Sequence, residues 1–293
     1  MSDTFRAWLQ IHFCVLLWGF TAILGKAITL PALPLVWWRM TLVTFALLFI
    51  PGFWRGLTTM SWRHIAIFSG IGVVVAMHWL SFYGAIKLSN ASVAATCMAL
   101  SPVLIAIIEP WIVGTRFDWR ELIFGIAVVP GIILIVGGTP TGMRTGIAVG
   151  VLAAFFVAIF GSLNKRYVQQ APALTITGLE MGAGALSMAM ASPLLPHSES
   201  AFVRPDTHDT VLLLTLALGC TLLPFALSLV ALRHLSAFAT GLAVNMEPVY
   251  AIVLAILFFG EQRELSVTFY LGVAIVFAVV FSHPIIAARR AQS

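Results

Sequence analysis

From about residue 8 to about residue 286 the chain is almost entirely apolar runs of bilayer-spanning length, interrupted by short turn-rich joints. About 20 consecutive apolar residues cross a membrane as a helix, and in lipid each backbone N–H and C=O must find its partner inside the protein. Reading the runs in order predicts ten helices, near residues 8–27, 33–50, 63–83, 90–113, 119–137, 144–163, 172–192, 210–230, 235–259 and 265–286. Pro31 and Pro34, Pro51-Gly52, Ser89-Asn90, Gly137-Gly138 with Pro140, and Gln169 to Pro172 mark the joints. Only Pro193 to Asp209 is long enough to form a real polar loop. Composition agrees, with 60% hydrophobic and 9% charged residues where a soluble domain has about a quarter charged. The expected fold class is an all-α polytopic membrane protein.

Basic residues orient the array. With the N-terminus cytoplasmic, that side carries Arg6, Arg55, Arg63, Arg116, Arg120, Lys165, Arg166, Arg233, Arg289 and Arg290. The opposite side carries only Lys26, Lys87, Arg144, Arg204 and Arg263. The bias follows the positive-inside rule, and an even number of spans then predicts that both termini are cytoplasmic. The net charge of +5 reads as membrane orientation, not nucleic-acid binding. The first run follows Arg6 but lacks a convincing small-residue cleavage site, so it is read as a first helix and not a signal peptide. Cys14, Cys97 and Cys220 fall inside apolar runs without metal-ligand spacing and are expected as small buried hydrophobes.

An internal repeat sets the organisation. A shift of 146 residues lays Ala85-Ile86-Lys87 on Ala231-Leu232-Arg233, Ala91 on Ala237, Pro102-Val103 on Pro248-Val249, Gly114 on Gly260 and Asp118 on Glu264. A slightly different shift lays Trp18-Gly19 through Lys26 over Val157-Ala158 through Lys165. Each half holds five spans, an odd number, so the second half is expected upside down relative to the first. The expected division is residues 1–140 and 141–293, two inverted repeats in one membrane domain. Inverted repeats with a site near the midplane are a recurring transporter plan.

The stretch Gly241 to Glu261 carries the sharpest functional mark, because Glu247 and Pro248 stand side by side within it. An ionised carboxylate at membrane depth is costly and faces a cavity or a partner. Proline has no N–H and disrupts the turn behind it, so Pro248 and its repeat counterpart Pro102 are read as helix-breaking positions. Ser101 stands where the second half has Glu247, which makes the charge asymmetric.

Leu17-Trp18-Gly19 with Lys26, the run Ser101-Pro102-Val103, and Glu247-Pro248-Val249 through Gly260-Glu261, with Gly272 beyond, form a duplicated set. In these motifs, and over essentially its whole length, the chain resembles the EamA-type transporters of the drug/metabolite transporter superfamily. The resemblance implies a ten-helix basket in the inner membrane of a bacterial cell. It also implies secondary transport, often export, of amino acids or other small metabolites. Two positions depart from the pattern. Val157-Ala158 stand where Trp-Gly-like residues are common, and Thr115 stands where the second half has Glu261.

Several side chains are candidates for the chemistry. Glu247 reads as a proton carrier, a partner for a substrate amine, or a structural carboxylate between helices. Arg39 is suited to hold a substrate carboxylate in a bidentate pair, or to snorkel to the outer interface. Glu180 occupies the equivalent position in the seventh span, but the opposite depths of the two argue for separate roles. Within Gly178-Leu179-Glu180-Met181-Gly182 it reads as part of a small-residue packing motif. Glu109, before Pro110, reads as an inner gate, a proton exit or an interfacial carboxylate. His78, before Trp79, reads as a proton relay or an interfacial anchor. Trp18 offers a stacking surface, and Lys26 and Lys87 are expected to snorkel. His12, Ser81, Tyr83, Asn164, Asn245 and Tyr250 are each able to hydrogen-bond a substrate. Asn245, two residues from Glu247, points to another helix face and is expected to tie helices together. Gly142, Gly146 and Gly150, four apart, read as a close helix contact.

These residues favour a secondary transporter working by alternating access, exporting amino acids or related compounds and coupled to protons. Glu247 and Arg39 would hold the ammonium and the carboxylate of one substrate. The alternative is an exporter of aromatic cations, which needs Glu247, Trp18 and Tyr250 but not Arg39. An intramembrane enzyme is disfavoured, since no His-Glu-x-x-His pair, paired aspartates or Gly-x-Ser-x-Gly elbow occurs, and no metal or cofactor is expected. A channel would need polar rings or a filter loop, and a P-loop for ATP is absent. The expected partners are a small-molecule substrate, the lipid bilayer and protons. A monomer suffices.

Overall fold

The computed structural model describes residues 3–117, 119–194, 200–235, 240, 243–244 and 246–291. In the first half, α1 (Asp3–Ala27) and α2 (Ala32–Leu48) precede a short α3 (Pro51–Thr58). They are followed by α4 (Trp62–Leu88), α5 (Ala91–Met98), α6 (Ser101–Val113) and α7 (Trp119–Gly138). The second half runs through α8 (Arg144–Tyr167), α9 (Ala173–Ala191), α10 (Thr207–Leu214), a π-helical stretch Thr215–Leu222 and α11 (Leu223–Leu232). It ends with α12 (Met246–Phe259) and α13 (Val267–Ala291). Among the described residues no strand occurs, and six helical segments are long and apolar enough to cross a membrane. A bent pair, α2 and α3, would make seven, and α12 is among the shorter apolar helices.

The apolar surface faces outward as well as inward. Trp111 is 83% exposed, Leu257 73% and Ile126 62%, an exterior that suits lipid and not water. Exposed Trp54, Trp62, Trp111 and Trp119 all stand near helix ends on the side predicted to be cytoplasmic, as an interfacial aromatic belt would.

Helix starts follow side-chain chemistry. Asn90 accepts from the Val93 N–H at 2.9 Å to begin α5, and Asp206 accepts from the Asp209 N–H at 2.7 Å to begin α10. The sequence reading makes Pro51-Gly52 a plain joint. Instead Pro51 opens α3, whose axis turns 86° from α2, because proline suits a first helical turn. Phe53 is buried in that turn and lies against Gly178.

The two halves pack into one another reciprocally. α1 lies on α11 and α12, and its counterpart α8 lies on α4 and α6. α2 meets α9, and α7 meets α13. Gly131 and Gly272 approach until each faces the other's backbone, a contact that a Cβ would close. Gly146 and Gly150 lie against Ser89 and Cys97 as the four-residue spacing predicts, but Gly142 meets nothing. The repeat extends to backbone conformation. Gly114 and Gly260, 146 residues apart, end α6 and α12 with φ of 84° and 64°, the left-handed region that glycine enters without strain.

Candidate functional site

Helices of both halves surround a cavity of about 140 Å³. The first half contributes Trp18 and Thr21 from α1, Arg39 from α2, His78, Trp79 and Phe82 from α4, and Ser101 from α6. The second half contributes Phe160 and Asn164 from α8, Phe225 and Ser228 from α11, and Glu247 from α12. The walls are largely aromatic and aliphatic with few polar groups, the usual make-up of a small-molecule site.

Arg39 is only 2% exposed, which rules out snorkelling. Its Nε donates to Thr221 Oγ1 at 2.6 Å and its Nη1 to Tyr83 Oη at 2.6 Å. The guanidinium carbon lies 3.7 Å from the centre of the Trp79 ring. Thr221 is placed by the π-helical stretch, donating to Leu216 O five residues back at 2.6 Å. A buried arginine held on an aromatic face and fixed by two hydroxyls keeps donors of its five-N–H fork free of these contacts, an arrangement chemically able to hold an anion.

Glu247 faces the same cavity from α12, and no ion pair joins it to Arg39. Its repeat counterpart Ser101 also lines the cavity, as do Trp18 and its counterpart Val157. Symmetric positions thus carry different chemistry. His78 borders the cavity with Nδ1 2.9 Å from Ala153 O, so that nitrogen carries a proton and donates it to the carbonyl. The ring sits 5.4 Å from Phe160 inside the protein, not at an interface.

Other sequence candidates lie elsewhere. Glu180 is fully buried on α9 behind the cavity wall, where Asn164 Nδ2 donates to its Oε2 at 3.4 Å. Tyr250 is 36% exposed on α12 and does not line the cavity, because Gly19 of α1 packs against its Cβ. Glu109 is partly buried near the end of α6, outside the cavity and within electrostatic reach of Lys165. His12 and Ser81 do not line it either, and Tyr83 is committed to Arg39. Pro102 stands in the first turn of α6 just after the break from α5, and Pro248 is buried in α12. Asn245 lies outside the described residues.

At the ends of α1 and α12 and the start of α5 lies a polar cluster that the sequence reading missed. Lys26 does not snorkel; its Nζ pairs with Glu261 Oε1 at 2.7 Å and lies 3.8 Å from Glu264. Glu261, fully buried, also accepts from the N–H groups of Ala91 at 3.1 Å and Ser92 at 2.8 Å. Asn90 donates to Glu264 at 2.9 Å. Lys87 does not snorkel either, because it donates to Ile28 O, and its repeat counterpart Arg233 donates to Ala171 O. The repeat alignment, which pairs Lys87 with Arg233, was the available signal. The cavity lining runs out to Asn164 and Leu232, near the ends of α8 and α11.

Among the described residues, Asp206, His208 and Asp209 form a group with metal-ligand potential. Their oxygens already have partners. Asp206 caps α10, and Asp209 accepts from Thr29 and Leu30, with Thr29 N at 2.9 Å and Thr29 Oγ1 at 2.7 Å. The group reads as a tether for the joint after α1.

Residues 6–137 and 144–283 each match the sequence profile described as the EamA-like transporter family. The chain is 26% identical over 219 residues to the uncharacterized transporter YxxF of Bacillus subtilis (strain 168), covering 71% of this chain and 66% of that protein. It therefore spans just under two thirds of that relative. A crystal structure of a protein at 18% identity superposes over 98% of this chain and 99% of its own, with a TM-score of 0.69, a likeness of fold alone.

Proposed function

Because the chain belongs to the EamA-like transporter family and is an integral, multi-pass membrane transporter, we propose that it moves amino acids or related zwitterions by alternating access. The reading assigns ten spans in two inverted five-helix repeats, 1–140 and 141–293, with both termini in the cytoplasm of a bacterial cell. The reciprocal packing of the halves supports the inverted repeat, since exchanging the halves turns the contacts of α1 with α11 and α12 into those of α8 with α4 and α6.

One observation carries the substrate class. Arg39 and Glu247, one from each half, face a single cavity with no direct ion pair between them. A zwitterion pairs with both, its carboxylate on the guanidinium fork and its ammonium on the carboxylate. The aromatic walls alone would also suit an aromatic cation. Arg39 opposes that reading, because its positive charge already covers the Trp79 face a cation would seek. The cavity lining extends to Asn164 and Leu232 near the arginine-rich helix ends, and taking that side as cytoplasmic and the Lys26–Glu261 pair as a closed gate makes this conformer the loading state of an exporter. With a titratable carboxyl, Glu247, facing the cavity, the reading takes a proton gradient as the driving force.

The test is counterflow in proteoliposomes against an amino-acid and metabolite panel, with and without a proton gradient. Wild type is run beside Arg39→Ala and Glu247→Gln. Exchange of an amino acid that both substitutions reduce at least tenfold supports the reading, since each removes one charge-assisted contact of about 1.5–3 kcal/mol. Intact amino-acid exchange in both variants overturns it, and exchange of aromatic cations alone selects the second reading.

A further inference from the structure

Behind the cavity wall lies a carboxyl group that no cation accompanies. Glu180 is 0% exposed in the middle of α9, and its single protein hydrogen bond joins Oε2 to the side-chain amide of Asn164 at 3.4 Å. Its Oε1 is buried without a protein partner, and so is Asn164 Oδ1. Asn164 is itself 3% exposed and borders the cavity, so one amide separates the carboxyl group from the space where substrate binds.

Among the described residues, no cation lies within ion-pair distance of Glu180. α4 meets α9 with Gly72, set directly against the Glu180 backbone, and α2 meets α9 with Met40 and Thr44. α11 has no titratable residue, and α3 faces α9 through Phe53 and Gly56. Of the groups further along these helices, Arg39 and Tyr83 are bonded to each other and His78 to Ala153. None of them, nor Arg55, Arg63, His64 or Lys87, forms an ion pair with Glu180, and on α8, which supplies Asn164, Lys165 donates to Leu232 O and Leu235 O and Arg166 to Ile112 O.

We propose that Glu180, acting through Asn164, is the binding site of the coupled proton. The proposal rests on the transport reading above and goes beyond it in naming where the proton sits. A carboxylate that lacks a permanent counter-charge in a low-dielectric interior is stabilised by taking a proton, and a cycle that changes its access to water lets it give the proton back. The bookkeeping is one for one. The carboxylate takes a proton from cavity water to form O–H, and releases the same proton when access switches to the other side.

Asn164 transmits the state by turning its amide. Against an ionised Glu180 its NH2 donates, leaving its carbonyl as the free group. Against a protonated Glu180 its carbonyl accepts from the new O–H and its NH2 is freed toward the cavity. The first arrangement leaves both Glu180 Oε1 and Asn164 Oδ1 unpartnered, and the second gives the Asn164 carbonyl a donor. The cavity lining thereby exchanges an acceptor for a donor according to whether the proton is bound, which couples proton and substrate. Asn164 is a positioning residue in this scheme.

The test uses the full-length protein with Glu180→Gln, a close isostere that cannot ionise, and Asn164→Leu, which cannot turn an amide. The first readout is infrared difference spectroscopy between acidic and alkaline samples of purified protein, which needs no substrate. A buried carboxylic C=O band that disappears in Glu180→Gln and shifts in Asn164→Leu supports the site. The same band unchanged in Glu180→Gln overturns it. The second readout is transport. Glu180→Gln should make amino-acid exchange indifferent to pH and reduce gradient-driven accumulation at least tenfold, whereas accumulation at the wild-type level overturns the proposal. If wild type exchanges no amino acid at all, the substrate reading fails, and the infrared result alone decides the proton site.

Discussion

A guanidinium inside a membrane needs more than a counter-charge, and Arg39 shows what else serves. Trp79 covers one face, Thr221 and Tyr83 take two of its N–H groups, and the charge remains available to the cavity. Lysine cannot reproduce this, because an ammonium has neither the planar stacking face nor the fork. Arg39→Lys should therefore raise the apparent KM for the transported amino acid at least tenfold while the protein still folds, as judged by size-exclusion profile and counterflow. Tyr83→Phe removes a single hydroxyl partner and should have a smaller effect in the same direction, since one hydrogen bond to a charged group is worth about 1.5–3 kcal/mol. An Arg39→Lys variant with wild-type KM would show that stacking and the fork are immaterial.

Among elements, the end of α1, the start of α5 and the turn after α12 are bonded together, and on the transport reading proposed above this contact is the closed gate. Glu261 serves three partners at once: the Lys26 ammonium and two backbone N–H groups at the start of α5. The N–H groups of a helix start and a cation make that buried carboxylate strongly held. Glu261→Ala should destabilise the fold by about 3 kcal/mol, because Lys26 and the two N–H groups lose their acceptor together. Glu261→Gln keeps shape but loses charge, and should shift the population toward the conformer open at this end. Cys97 reports on that opening, being buried on α5 beneath the contact. With Cys14 and Cys220 replaced by serine, its alkylation by a small maleimide should accelerate in Glu261→Gln. An unchanged rate would mean that the contact is a structural brace and not a gate.

On the scale of the whole molecule, each half is incomplete without the other. The principal contacts of α1, α2, α7 and α8 are with helices of the opposite half, and Arg39 finds its Thr221 partner there. A gene split between residues 140 and 141 should therefore yield a functional complex when both pieces are co-expressed, and neither piece alone should survive detergent extraction as a monodisperse species. Recovery of a stable, monodisperse first half would show that the repeats are independent folding units.

Sequence by itself determined the helices, because the bilayer constraint is local. A run of about 20 apolar residues must be helical in lipid whatever its neighbours do. Local rules also placed Gly114 and Gly260 at equivalent helix ends and marked Glu247, Arg39, His78 and Trp18 as costly or unusual at their depth. Which faces meet was decided only by the tertiary structure. In lipid one apolar face is as good as another, so helix pairing rests on close fit and on polar partners that hydropathy does not encode. Hence Tyr250 and Glu109 fell outside the cavity, Lys26 and Lys87 turned inward to partners, and the bend at Pro51 replaced a plain joint. The π-helical turn that delivers Thr221 to Arg39, and the pairing of Glu180 with Asn164 across the cavity wall, likewise depend on side chains far apart in the chain. Which runs lie in the membrane was legible from hydropathy. Partnership was not, because it depends on which helices lie together in three dimensions.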